Sequence, residues 1–213
     1  MTKHDWFRNR TWSESIARAF FARLERSRSI FHKAQYLRIQ ALTLEQTRVV
    51  SHVRIALELL QRVFVEFPDG SQLAAAHLQA ARCHAELGDV ATAVDQFRAA
   101  LDAQSRCPGY DPGTALEFPW FVVERELSSH YDEALEVLAT ARLAFPVQYF
   151  QAAAVRAFVA EFRGDPEAAS RNAREALGAA ERQESGFRYH QSLGLVGDTH
   201  EATVARLKKL AAA

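Results

Sequence analysis

The sequence predicts an all-α protein built from stacked helical hairpins. One observation is a spacing: an alanine is followed four and then three residues later by apolar or small residues, at Ala56-Leu60-Val63, Ala93-Phe97-Ala100, Ala134-Leu138-Ala141 and Ala169-Ala173-Ala176. Residues so spaced share one helix face. A second is punctuation at a matching offset, Val65-Glu66-Phe67-Pro68 and Leu143-Ala144-Phe145-Pro146. A third is composition: nine Gly and six Pro in 213 residues with 48% apolar content suit neither a disordered nor an all-β chain.

Taken in order, Thr11-Trp12-Ser13-Glu14 reads as a capping box, in which the Thr11 hydroxyl and the Glu14 carboxylate satisfy orphan amides. Ile16, Phe20 and Leu24 then face one way on a helix reaching about Arg26. A second helix is expected over 30–46 and its partner over 50–67, stopped by Pro68-Asp69-Gly70. The next hairpin spans 73–87 and 90–103. Gly88 suits its left-handed turn, and Asp89 can cap the second helix. Residues 105–115, with two prolines and two glycines, form a loop. A third hairpin covers 118–127 and 131–144, ending at Pro146. A fourth covers 148–162 and 166–180, with Gly164-Asp165 at its turn and Pro166 in the first helical position. Residues 187–197 read as irregular. Asp198-Thr199-His200-Glu201 is a second capping box, opening a last helix through Val204, Leu207 and Leu210.

Basic and acidic residues balance at 26 each, which removes the general attraction expected of a nucleic-acid binder. The distribution is uneven. Residues 1–40 are basic, from Lys3 to Arg38, whereas 111–136 hold seven acidic residues against Arg125. Such asymmetry fits solvated faces, steering of a partner, or head-to-tail contact between copies. The start, Met1-Thr2-Lys3-His4-Asp5-Trp6-Phe7-Arg8, lacks the apolar core of a signal peptide. No stretch approaches the roughly 18–20 apolar residues of a membrane span. Cys83 and Cys107 have no CxxC spacing and suit a reducing compartment, so the expected location is cytoplasmic, with no membrane partner.

Ala81-Arg82-Cys83-His84-Ala85-Glu86-Leu87-Gly88-Asp89-Val90-Ala91-Thr92-Ala93-Val94-Asp95-Gln96-Phe97, Tyr131-Asp132-Glu133-Ala134-Leu135 and Gly164-Asp165-Pro166-Glu167-Ala168-Ala169 carry a family likeness. The pattern resembles the tetratricopeptide repeat, a hairpin of about 34 residues with A-x3-F…P in its second helix. The resemblance covers about 33–183, in four degenerate copies of which the first matches only in its second helix. It implies a right-handed α-solenoid, preceded by an N-terminal helical extension over 1–32. An irregular segment and a C-terminal helix over 184–213 follow it, and the end helices act as caps.

In that family the first helix of each repeat lines a concave surface. The resemblance therefore directs Leu78, Arg82, Pro119, Trp120, Val123, Glu126, Ala154, Phe158, Glu161 and Phe162 toward a partner. The family's charged clamp for a C-terminal carboxylate is not matched, since Arg82 is the one obvious cation. The implied site is an apolar groove edged by Arg82, Glu124, Glu126 and Glu161, with Leu78, Trp120, Val123, Phe158 and Phe162 as its contacts. Three arrangements fit these residues: an open groove, a groove filled by a terminal helix of the same chain, or ordinary inter-helix core. Trp6, Phe7 and Trp12 are expected to tack the N-terminus to the body.

No HExxH, Walker, GxSxG or GxGxxG motif occurs. His77 and His84 lie about 10 Å apart along one helix, too far to share an ion. The cluster Arg188-Tyr189-His190-Gln191 with Asp198, His200 and Glu201 is the one candidate for acid–base chemistry. The reading is therefore a non-catalytic scaffold for a protein or peptide partner, without cofactor, metal or nucleic acid. A self-assembling structural subunit and an inhibitor or immunity-type binding protein are the alternatives.

Overall fold

A computed structural model describes residues 5–212. Residues 1–4, the start of the expected N-terminal extension, and residue 213 lie outside the described residues. Every regular element among the described residues is helical, and ten α-helices are formed. They fall into two compact units, Met1–Thr114 and Ala115–Ala213.

The first unit holds α1 (Glu14–Glu25), α2 (Ile30–Glu45), α3 (Val50–Glu66), α4 (Gly70–Glu86) and α5 (Val90–Arg106). Helices adjacent in sequence pack as pairs, α2 with α3 and α4 with α5, and α3 and α2 also meet α4. The recurring small residues explain how closely they approach. Ala56, Ala81, Ala93 and Ala100 are fully buried, where a larger side chain would overpack the contact. Around them Phe20, Leu24, Leu37, Leu44, Leu60 and Val63 form the core.

The N-terminal stretch is tied down as expected. Trp6 lies 4.9 Å from Tyr36 and 5.3 Å from Phe20, and Trp12 lies 5.6 Å from Phe20 (ring centroids). A polar clamp reinforces the aromatic one. Gln40, fully buried on α2, accepts from the Asn9 backbone amide and side-chain amide, both at 2.9 Å, and donates to the Asn9 carbonyl at 2.7 Å.

The second unit holds α6 (Thr114–Glu124), α7 (Tyr131–Leu138), α8 (Pro146–Phe162), α9 (Pro166–Ala180) and α10 (Glu201–Ala212). α8 packs on α9, and α10 lies along both. Ala157, Ala169, Ala173 and Ala176 are buried at these contacts.

Several expected boundaries are corrected. The first helix is capped by Ser13 rather than Thr11, the Ser13 hydroxyl accepting from the Ile16 amide at 3.3 Å. Asp69 does not merely stop α3. Its carboxylate accepts from the Ser71 amide at 3.0 Å, so α4 begins three residues earlier than its apolar pattern. α5 runs on to Arg106 and α6 starts at Thr114, which narrows the Pro/Gly loop from both sides. Pro119 stands inside α6, where it costs one ladder hydrogen bond.

The largest correction concerns α7, which stops at Leu138 and not at Ala144. Phe145 must be extended because Pro146 follows it. The Gln148 side-chain carbonyl then accepts from the Ala144 and Phe145 amides at 2.8 and 3.1 Å. Pro146 thus opens α8 instead of closing α7, and Ala141 sits outside any helix. At the far end Asp198–His200 form a 3-10 turn after Gly197, in place of the expected capping box. The Gly88-Asp89 and Gly164-Asp165 turns form as read: both glycines have positive φ, and the aspartates accept from Thr92 and Ala168 amides.

Candidate functional site

The expected site residues divide between the units. In the first, Leu78 is buried on α4 and Arg82 is half-buried. In the second, Trp120 and Val123 on α6 and Phe158 on α8 are buried, whereas Glu126 and Phe162 are exposed.

The second unit brings Trp120, Glu126 and Phe158 around one stretch of chain, the 3-10 turn Asp198–His200 and the middle of α10. Helical periodicity places Phe150, Ala154, Phe158 and Glu161 along one face of α8. The Trp120 ring lies 6.3 Å from Phe150, and the His200 ring meets both, at 5.5 Å from Trp120 and 5.1 Å from Phe150. Further along, on α10, the Arg206 guanidinium lies 4.1 Å from the Phe158 ring centroid. Its Nη2 donates to Glu161 Oε2 at 2.7 Å, and its Nη1 stands 3.9 Å from Glu126 Oε1. Trp120 and Phe158 therefore do not line an open groove within this unit, and Val123 is buried. α10 covers Phe158 through Arg206, and the 3-10 turn before it covers Trp120 through His200, so the C-terminal segment of the same chain lies on this face.

Electrostatics follow from that packing. Burial against the two rings pushes the His200 pKa down. Burial pushes Glu124 up, partly offset by the hydrogen bond it accepts from the Trp120 indole. Glu126 has a left-handed backbone (φ 53°) at the exit of α6, a conformation that glycine adopts more easily. Phe162, 63% exposed, makes an edge-to-face contact with Tyr131 at 5.0 Å.

The polar cluster near the C-terminus is not gathered. Arg188, Tyr189, His190 and Gln191 lie on an exposed turn, with Arg188 over the Tyr189 ring, while His200 is packed on Trp120 and Phe150. Among the described residues no group of three or more His, Cys, Asp or Glu side chains is arranged to hold a metal ion. His77 is a packing histidine, stacked 4.3 Å from Phe64 with Nδ1 2.8 Å from Gln96 Oε1. Among the described residues no helix is long and apolar enough to cross a membrane.

Arg206 and His200 are the site residues that the repeat pattern missed, because α10 lies outside the repeats. The available signal was weak: Arg206 stands between Ala205 and Leu207 on an amphipathic helix. Compared with protein-family models, curated proteins and solved structures, the chain has no significant match in any of the three.

Proposed function

We propose that this chain is a non-catalytic protein-binding scaffold of the tetratricopeptide-like kind. In this reading it is a right-handed, cytoplasmic solenoid with helical caps, and it receives an apolar helix or peptide segment of a partner in a concave groove. One observation carries the reading. The Trp120–Phe158 face already accommodates a segment of this chain, His200 on Trp120 and the helix α10 on Phe158, with Glu126 and Glu161 for its cation. Helix-in-groove recognition uses this combination of rings, aliphatic contact and flanking charge.

The test is recovery of partners from native lysate by wild type and by a Glu126→Lys, Glu161→Lys variant. Both carboxylates are at the surface, so the variant leaves the core intact. Loss of a specific partner is expected. Equal recovery by both folded proteins would sink the groove assignment.

A further inference from the structure

We infer that α10 with the 3-10 turn before it is an intramolecular occupant of the binding face, and that the partner is a helical segment repeating its pattern: a ring, a cation six residues later, and an aliphatic residue next to the cation. This rests on the binding-face reading above.

α10 buries little of itself. Of its twelve residues only Leu207 is buried, against five in α9 and ten in α8. It packs mainly along α9, and its other attachments are peripheral: Arg206 over Phe158 and on Glu161, the Ser170 hydroxyl donating to the Ala211 carbonyl at 3.3 Å, and, just before the helix, His200 against Trp120 and Phe150. A depression of about 400 Å³ lined by Leu177, Val196 and Val204 runs beside the helix, so its contact with α9 is incomplete. Helices held by few buried apolar contacts belong to the low-stability end of a fold.

The connector has the same character. Residues 181–197 contain no regular helix and are mostly exposed. They are pinned where the Val147 amide donates to the Gly194 carbonyl at 2.8 Å and Phe187 stacks on Phe145 at 5.0 Å. Release of α10 and the turn before it therefore costs little core, and it uncovers the rings of Trp120, Phe150 and Phe158 beside two surface carboxylates.

Charge complementarity defines the competitor. Glu126 and Glu161 converge on the single guanidinium of Arg206. A partner helix lacking a cation there would leave both carboxylates beside an apolar ring without a counter-charge. The closed fraction lowers the apparent affinity for any external helix in proportion.

The probe is a fluorescent peptide of residues 198–212, offered to the full chain and to its Arg206→Glu variant. Binding roughly tenfold tighter to the variant is expected, as is no binding by a peptide that itself carries Arg206→Glu. Equal affinity for both proteins, or no binding to either, would overturn the inference. Hydrogen exchange on the unaltered chain guards against a variant that fails to fold: α10 amides should exchange well before those of α8 and α9. Exchange of all three at one rate would overturn it too. Peptide binding without partner recovery from lysate would leave the latch and remove the scaffold reading. Partner recovery without peptide binding would do the reverse.

Discussion

Arg206 of α10 donates to Glu161 of α8 at 2.7 Å, joining the last helix of the chain to the face it covers. The same guanidinium sits over Phe158, so one side chain makes an ionic and a cation–π contact at once. At partly exposed sites each is worth about 0.5–1 kcal/mol.

Arg206→Ala should therefore loosen α10 and leave the rest of the fold alone. Amide exchange in α10 is expected to rise by roughly tenfold, with α8 and α9 unchanged. Uniform acceleration across all three helices would show that α10 belongs to the cooperative core.

Gly194 predicts a sharper local effect. Its φ is +70°, and an added Cβ would lie 2.6 Å from the Phe145 Cβ, an atom too close to the backbone to swing aside. Gly194→Ala should cost about 1–3 kcal/mol. Gly178 in α9 has no neighbour within 4 Å of an added Cβ, so Gly178→Ala should stabilise by about 0.5–1 kcal/mol. Urea midpoints moving in the same direction for the two variants would contradict this.

Acid should release α10 through His200. Burial holds its folded pKa below the ordinary 6.5, so folding favours the neutral ring. That stability is fully present above 6.5 and is lost as pH falls from there through the lowered folded value. The rings facing it belong to Trp120 and Phe150; Asp198 and Glu201 flank it in sequence, and Glu124 is bonded to Trp120. The raised pKa of Glu124 acts with the opposite sign, because protonation there favours the folded form. Emission from Trp120, in a background with Trp6 and Trp12 replaced by Phe, should change between pH 7 and 5, and His200→Phe should abolish the change.

The cysteines should differ in reactivity. Cys83 is fully buried and its thiol is pushed up to about 12, chiefly by burial, whereas Cys107 is half-buried in the loop after α5. Iodoacetamide at pH 8 should alkylate Cys107 in the native protein and Cys83 only on unfolding. Equal labelling rates would place Cys83 at the surface.

Gln40→Leu should undo the N-terminal clamp. It removes the partner of three Asn9 groups and should cost about 1–3 kcal/mol. A lower urea midpoint with red-shifted emission from Trp6 and Trp12 is the expected reading.

Most helices were legible because their signals are local. Pro166 at the first position, Asp165 as cap and Gly164 with positive φ define the start of α9 within a few residues of chain. The same holds for Asp89 and α5. The failures mark competition between local signals. Alanine spacing favours extending α7 to Ala144, yet Gln148 and the residue before Pro146 pull that stretch out of helix. Ser13 outcompetes Thr11 because only it stands three residues before the Ile16 amide it accepts from.

The sequence by itself determined the helical class, the Gly88-Asp89 and Gly164-Asp165 turns and the buried alanines of α3, α5 and α9, since caps, φ preferences and periodicity act over a few residues. Only the tertiary structure decided what stands on Trp120 and Phe158. His200 and Arg206 reach that face across tens of residues, through ring contacts and ion pairs that carry no spacing signal in the chain.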